Sequence, residues 1–246
     1  MTISTYHAGT GARLRRSEPV STETSSPIKT PPLPSRAKRP IPKASKGHFV
    51  GELVFNRGPR QQRLGFASLN EHNVALCLLY RADCHDLEEQ LAGLPFTLPN
   101  GRSSRHHFDF RFTRSGGFRI CISVKPERVA KTYEYQAKFA EIKKAAIGNI
   151  CDAVATITER NIDPVLLHNA KLFHAARDPE PEIDHRISDG LADLDGHTSI
   201  SDFLSEIDLG GAGFFGLARA LRFERARLFA PGRITGSSLI ARGEGI

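Results

Sequence analysis

Two stretches of alternating apolar residues, separated by a pair of glycines, constrain the fold of this 246-residue chain most strongly. Large apolar side chains occupy every second position from Phe108 to Phe112, and the alternation recurs from Phe118 to Val124. A period of two is the pattern of a strand with one buried face. Ser115-Gly-Gly between the stretches indicates a tight turn. The sequence therefore predicts an antiparallel hairpin with its apolar face in the core.

The segments around this hairpin predict further strands and several helices. Strands are predicted at 48–55, 86–90, 94–98 and 153–157, and helices at 64–80 (with Ser68 as N-cap), 129–149 and 166–176. This order indicates an α/β fold, a mixed layer structure with a central sheet. The last 60 residues predict three short helices at 183–194, 199–207 and 214–223, followed by a hairpin around Pro231 and Gly232. Three helices and a hairpin are the plan of a winged helix.

The positive charge is concentrated at the start of the chain. Residues 1–46 contain nine Lys or Arg and two acidic residues, so their net charge of +7 equals that of the whole chain. The segment is rich in Pro, Ser and Thr and poor in large apolar side chains, which predicts disorder. It is either a solvated leader without a role or a basic arm that contacts phosphates or a partner. The folded domains are expected at 47–150 and 151–246.

Several classes of protein are not expected from this composition. No apolar run approaches the roughly 18 residues needed to cross a bilayer, and the first 25 positions contain no signal-peptide core. The four cysteines show no C-x-x-C spacing, so they are expected to be free and reduced. These features predict a cytoplasmic protein without a membrane partner.

Three polar residues are placed where metal-dependent chemistry could use them. Glu71 falls within the first predicted helix, Asp109 within one strand of the hairpin, and Lys125 at the end of the other strand. Carboxylates hold Mg²⁺, and a lysine stabilises the charge that develops on a phosphate. Such residues also occur by chance in strands and before prolines. Spacing alone therefore leaves a nuclease site and an ordinary surface both open.

Six short motifs lie along most of the folded chain, within about residues 47–240. The motifs are Phe66-Ala-Ser-Leu-Asn-Glu71, Leu87-Glu-Glu-Gln90 with Pro95-Phe96, His106-His-Phe-Asp109-Phe, Ser123-Val-Lys125-Pro126, Ile157-Thr-Glu159 and Asn169-Ala-Lys-Leu-Phe-His174. They resemble motifs of the TnsA-type transposon endonucleases, and four of them follow one another in the family's order and at similar intervals.

The resemblance implies a fold, an activity and a set of site residues. The fold is a restriction-endonuclease-like PD-(D/E)XK core followed by a winged-helix-like C-terminal domain. The activity is cleavage of double-stranded DNA at transposon ends with Mg²⁺ or Mn²⁺, beside a transposase or an ATPase regulator. By resemblance, Glu71 and Asp109 are the metal carboxylates, the Val124 carbonyl is a further ligand, and Lys125 is the catalytic lysine.

One position departs from the family's pattern. Ser123 stands where Glu or Gln is usual, and a hydroxyl is a poorer Mg²⁺ ligand than a carboxylate. Two alternatives therefore stay open: a TnsA-like DNA-binding or adaptor protein that has lost cleavage, and a stand-alone restriction or defence nuclease. Intact Glu71, Asp109 and Lys125 favour the enzyme.

Four arginines are candidates for contacts with DNA. Arg102 and Arg105 lie at the entry of the predicted hairpin, where they could neutralise phosphates. Arg219 and Arg222 are three positions apart on the last predicted helix and could form one face of a recognition element. The alternative for both pairs is a role in surface solubility.

Overall fold

The computed structural model describes residues 30–41 and 49–244, and these residues form eleven strands and seven α-helices. The strands are β1 (Gly51–Arg57), β2 (Arg60–Phe66), β3 (Cys84–Glu89), β4 (Leu94–Thr97), β5 (Ser103–His106), β6 (Phe110–Arg114), β7 (Arg119–Val124), β8 (Ala153–Ile157), β9 (His197–Ser199), β10 (Ala226–Leu228) and β11 (Leu239–Arg242). The helices are α1 (Leu69–Leu79), α2 (Glu127–Ala130), α3 (Tyr133–Ala146), α4 (Pro164–Ala175), α5 (Pro181–Asp193), α6 (Ile200–Glu206) and α7 (Phe214–Arg222). The mixed α/β composition agrees with the prediction.

A four-stranded mixed sheet lies at the centre, in the order β3-β6-β7-β8. Strands β3, β6 and β7 are antiparallel neighbours, whereas β8 is parallel to β7. Most of the alternating side chains are buried as their spacing predicts, namely Phe108, Phe110, Phe112, Ile122 and Val124, whereas Ile120 is half-buried and Phe118 is exposed. Phe110 is paired to Ile122 across the two strands. Helix α1 packs against β3 and β7 and completes this core.

The first helix begins later than its sequence pattern predicts. Residues 60–66 form β2, which pairs with β1, and the helix starts at Leu69. The apolar spacing of Leu64 and Phe66 fits a strand as well as a helical turn, and only pairing with β1 decides between them. Ser68 is the N-cap as predicted, since its side chain accepts a hydrogen bond from the backbone N–H of Glu71.

The β4–β5 hairpin and helix α3 form a second layer beside the central sheet. The hairpin turns at Gly101, whose φ of +81° is favourable for glycine. The helix predicted at 129–149 is two helices, because Thr132 leaves helical geometry and caps α3 through its side chain. Side chains from both elements meet Phe108 in a shared apolar cluster.

The C-terminal part consists of helices α5 to α7 and a three-stranded antiparallel sheet in the order β10-β11-β9. The three helices and the hairpin around Pro231 occur where the sequence predicted them, and β9 is an additional strand. The core of this part is formed by Ile187, Leu191, Phe203, Leu217 and Ile240. Helix α4 packs on both α1 and α7, so it joins this part to the central sheet.

The segment 30–41, here called the strap, was expected to belong to the disordered leader, and this expectation is wrong for these residues. Leu33 exchanges backbone hydrogen bonds with Gln61 and Arg63 at distances of 2.8 and 3.0 Å. Arg36 donates two hydrogen bonds to the carboxylate of Asp86, at 2.9 and 2.8 Å. These specific bonds offset the entropy that a polar segment loses on ordering. The rest of the predicted leader, residues 1–29 and 42–46, lies outside the described residues.

Two further predictions concern cysteines and membranes. All four cysteines are free, as their spacing predicted. Among the described residues, no helix has both the length and the apolar character required to cross a membrane.

Candidate active site

The end of the β6–β7 hairpin brings Asp109 and Lys125 together. Asp109 immediately precedes β6, and its backbone N–H donates to the carbonyl of Ile122 on β7. Its Oδ2 accepts a 2.7 Å hydrogen bond from the backbone N–H of Val124 and lies 3.4 Å from Nζ of Lys125. The Lys125 ammonium also donates to the carbonyl of Val124 at 3.0 Å. Two oxygens, Asp109 Oδ2 and Val124 O, therefore converge on one cationic group.

Glu71 completes this group from the first turn of α1. Its carboxylate accepts hydrogen bonds from the backbone of Ala67 at 2.9 Å and from the hydroxyl of Ser68 at 3.1 Å. These bonds resemble a capping box, which by itself would be a structural role. However, Glu71 is only 7% exposed, and its pKa is raised by burial and by the negative charge of Asp109. The two carboxylates are therefore close enough to repel one another.

These residues fit a hard divalent cation. Mg²⁺ binds carboxylate and backbone carbonyl oxygens, and Asp109, Val124 and Glu71 supply three such groups. A cation between the carboxylates would also relieve the repulsion that raises the pKa of Glu71. Among the described residues, no group of three or more His, Cys, Asp or Glu could hold a metal ion.

Ser123 lies beside these oxygens, but its hydroxyl is engaged elsewhere. The side chain is fully buried, and its Oγ lies 2.8 Å from Nε2 of His106 on β5. Burial, followed by the positive charges of Lys125 and Lys138, lowers the pKa of His106 to about 4. The imidazole is therefore neutral at pH 7. It packs edge-on against Phe108, with ring centroids 4.6 Å apart.

A serine beside a neutral histidine raises the question of nucleophilic catalysis. That chemistry requires a nucleophile that substrate can reach and a third group that orients the base. Ser123 is 0% exposed, and no carboxylate is hydrogen-bonded to His106 among the described residues. The pair is therefore better explained as a buried polar contact that holds β5 against β7.

Two of the four predicted DNA-contacting arginines are on the surface near this site. Arg102 and Arg105 are both exposed on the β4–β5 hairpin, the same hairpin that carries His106. Their exposure leaves them accessible to a phosphate backbone. A contact with DNA stays a prediction for both residues.

Arg219 is placed differently from its prediction. It is 5% exposed, and its guanidinium is ion-paired with Asp184 at 2.7 Å and Glu180 at 3.0 Å. It also donates to the carbonyls of Ala176 and Asp178. The predicted contact with DNA is thus wrong for this structure, because the guanidinium is buried and its donors bind the protein itself. The helical periodicity placed Arg219 on the correct helix, but it did not show that this face of the helix is buried.

Arg222 also makes internal contacts, although it is partly exposed. Its guanidinium donates to the carbonyls of Leu79 and Arg81, at 3.3 and 3.5 Å, where α1 ends. It also lies over the ring of Tyr80, 5.4 Å from the centroid. A cation at the C-terminal end of a helix is favourable. These contacts indicate that Arg222 joins α7 to α1, in place of the predicted recognition surface.

Two contributors to this region were missed by the sequence analysis. The side-chain amide of Gln90 donates to Oε2 of Glu71 at 3.2 Å, between residues that are 19 positions apart. The strap reaches the same place, since Lys38 N donates to the carbonyl of Gln90 at 2.9 Å. No local periodicity marks either contact.

A cavity of about 310 Å³ lies elsewhere, between β1, α1 and α7, and none of its lining residues belongs to the candidate site.

Comparison with known proteins gives no independent assignment: no protein-family model matches the chain, and no curated protein is significantly similar to it.

Proposed function

We propose that this protein is a metal-dependent DNA endonuclease of the TnsA type. It would hydrolyse phosphodiesters of double-stranded DNA at the ends of a mobile element, together with a transposase or an ATPase regulator. The observation that carries the proposal is the convergence of Asp109 Oδ2 and Val124 O on the Lys125 ammonium, beside a second buried carboxylate on α1. A cytoplasmic location is part of the same proposal.

The proposal includes a finer assignment of the fold. The four-stranded mixed sheet with α1 on one face is assigned to a restriction-endonuclease-like core, within 47–150 and extended by β8. The three helices α5 to α7 and the sheet β10-β11-β9 support a winged-helix-like domain within 151–246.

The roles of the residues follow from their positions. Glu71, Asp109 and the carbonyl of Val124 would hold Mg²⁺ or Mn²⁺, and the bound ion would supply Lewis-acid polarisation of the scissile phosphate. Lys125 would orient the attacking water and stabilise the charge that builds up on the phosphate. Its side chain is 31% exposed, whereas that of Asp109 is 6% exposed. The lysine can therefore reach substrate while the aspartate stays protected.

A plasmid-nicking assay with Mg²⁺ or Mn²⁺, with and without the partner transposase, tests this proposal. We expect cleavage by the wild type and a loss of about 100-fold or more for Lys125→Met, since removing such stabilisation costs several kcal/mol. Lys144→Met is the matched control, because Lys144 is an exposed lysine on α3 paired with Glu141. Equal nicking by wild type and Lys125→Met would contradict the assignment.

A second candidate function is a DNA-binding adaptor that has lost cleavage. The observation that favours it is Ser123, whose hydroxyl adds no charge and is bound to His106. With only two carboxylates, Mg²⁺ is expected to bind weakly, and Mn²⁺ more tightly. A nuclease should therefore cut faster with Mn²⁺, whereas an adaptor should not cut with either ion.

Restoring a carboxylate at position 123 separates these two functions. Ser123→Glu alone is expected to destabilise the fold by about 1–3 kcal/mol, because a larger side chain must enter a filled site. Combining it with His106→Ala provides space, and the double variant should bind Mg²⁺ more tightly than His106→Ala alone. Absence of cutting by the double variant and by the wild type, with partner and either metal present, would favour the adaptor. Cutting without any partner would favour a stand-alone defence nuclease.

A further inference from the structure

Gln90 has a polar atom that the protein does not satisfy. The residue is 0% exposed, and its Oε1 has no hydrogen-bond partner among the described residues. Leaving a buried acceptor without a partner is energetically unfavourable, so such an atom needs a physical explanation. Its amide nitrogen, by contrast, donates to Oε2 of Glu71 at 3.2 Å.

The orientation of this amide is determined by its surroundings. Rotating the amide by 180° would place its oxygen against the carboxylate of Glu71, where two acceptors repel. The nitrogen therefore faces Glu71, and Oε1 is the other terminal atom of the same amide group. Gln90 therefore carries a neutral acceptor, without a partner among the described residues, on the same amide group that binds Glu71.

The backbone of Gln90 is also held in an unusual conformation. Its φ is +44°, in the left-handed region that residues other than glycine rarely adopt. The N–H of Gln90 donates to the carbonyl of Asp109 at 2.8 Å, and its carbonyl accepts from Lys38 of the strap at 2.9 Å. Strained backbone of this kind persists only where the surrounding structure imposes it, and it is concentrated at functional sites. Here Asp109, just before β6, and Lys38 of the strap hold it from two sides.

We propose that Oε1 of Gln90 is an additional protein ligand of the divalent cation held by Glu71 and Asp109, an inference that rests on the proposed function. Amide oxygens are hard ligands that bind Mg²⁺ and Mn²⁺. The Gln90 amide would contribute an oxygen without adding a third negative charge to a buried site. The Gln90 oxygen would be an added ligand in a site where position 123 is a serine and provides no carboxylate.

Mn²⁺ binding measured by calorimetry on the full-length protein without DNA tests this inference. Gln90→Met keeps the length of the side chain but removes the oxygen, and we expect its Mn²⁺ affinity to fall on the order of 10-fold or more. Gln136→Met is the control, because Gln136 is exposed on α3 and has no part in the strap or the candidate site, so its Mn²⁺ affinity should equal that of the wild type. Circular dichroism confirms that both variants are folded.

Crystals of the wild type grown with Mn²⁺ separate a ligand from a positioning residue. We expect the anomalous peak within about 2.5 Å of Gln90 Oε1. A peak bound only to Glu71, Asp109 or Val124, or an unchanged affinity in Gln90→Met, overturns the inference while leaving the nuclease proposal intact. A wild type that binds no Mn²⁺ and cuts no DNA overturns both.

Discussion

Asp109 combines a structural hydrogen bond and a proposed chemical role in one carboxylate. Its Oδ2 accepts the backbone N–H of Val124 and also faces Lys125, so a substitution can remove one function or both. Asparagine keeps an acceptor and loses the charge, whereas alanine loses both. The two variants therefore distinguish folding from catalysis at this residue.

We predict that Asp109→Asn and Asp109→Ala both abolish cleavage but differ in stability. Alanine leaves the buried N–H of Val124 without an acceptor, which costs about 1–3 kcal/mol. Urea unfolding should therefore show Asp109→Ala to be less stable than Asp109→Asn by this amount. Equal stabilities would show that the hydrogen bond does not contribute, and wild-type cutting by either variant would remove Asp109 from the site.

Two half-buried histidines predict how stability changes with pH. Burial is the main cause that lowers the pKa of both His106 and His174 to about 4. Nearby positive charge adds to it, from Lys125 and Lys138 at His106 and from Arg177 at His174. An unfolded histidine titrates near 6.5, so between pH 4 and 6.5 the unfolded chain binds more protons.

The free energy of unfolding should consequently fall as the pH is lowered from about 6.5 to 4, with no contribution from these histidines above that range. His106→Gln and His174→Gln should each make the dependence shallower than in the wild type. His185→Gln is the control, because His185 is exposed on α5. The measurement is urea unfolding at several pH values. If His106→Gln and His174→Gln both keep the wild-type dependence of unfolding free energy on pH, neither histidine is held neutral in the folded protein.

At the scale of elements, the strap connects the edge of the central sheet to the candidate site. Ser35 and the backbone of Arg36 donate to the buried carboxylate of Glu89, and Lys38 binds the next residue, Gln90. Arg36 adds the bidentate ion pair with Asp86 on β3. The strap therefore packs at the edge of the central sheet, and its removal should affect stability and, if the proposed site holds a metal, metal binding.

Two truncations test this role. Removing residues 1–29 keeps every described contact of the strap, so we expect little change in the free energy of unfolding. Removing residues 1–41 should cost at least about 2 kcal/mol, because charge-assisted hydrogen bonds to Asp86 and Glu89 are lost. Denaturant unfolding compares the two proteins. Equal stabilities would mean that the strap does not stabilise the core.

At the scale of the whole molecule, the net positive charge is concentrated in the first 46 residues, and two of its exposed cations lie on the strap. Residues 1–46 carry the entire net charge of +7, so the rest of the chain is neutral overall. Lys38 and Arg39 are exposed on the strap, and the charge of Arg39 contributes to the low pKa of His106. This places positive charge near the proposed point of cleavage, where it could bind DNA phosphates.

We predict that Lys38→Gln combined with Arg39→Gln weakens DNA binding and lowers the slope of log K against log salt by about 2, since each phosphate contact contributes about 0.9. Lys143→Gln with Lys144→Gln removes the same charge from an exposed face of α3 and should change the slope less. Binding by fluorescence anisotropy at several salt concentrations measures both. Equal changes for the two pairs would indicate a net-charge effect without a local contact.

The sequence by itself determined the features that depend on neighbouring residues. The alternation from Phe108 to Val124 predicts the β6–β7 hairpin, because a period of two buries one face of a strand. The Ser68 N-cap follows from its position three residues before Glu71. The hairpin and the start of α1 carry Asp109, Lys125 and Glu71, the residues that the resemblance to TnsA-type endonucleases singled out as candidates.

The tertiary structure alone decided the features that depend on packing between distant segments. The strap is ordered because Arg36 meets Asp86, 50 positions away, and Gln90 reaches Glu71 across 19 positions. Arg219 is buried because acidic residues of α5 and the turn before it surround it, although its helix was predicted correctly. Periodicity indicates which residues share a face but not what that face contacts, since the contact forms only when the elements assemble.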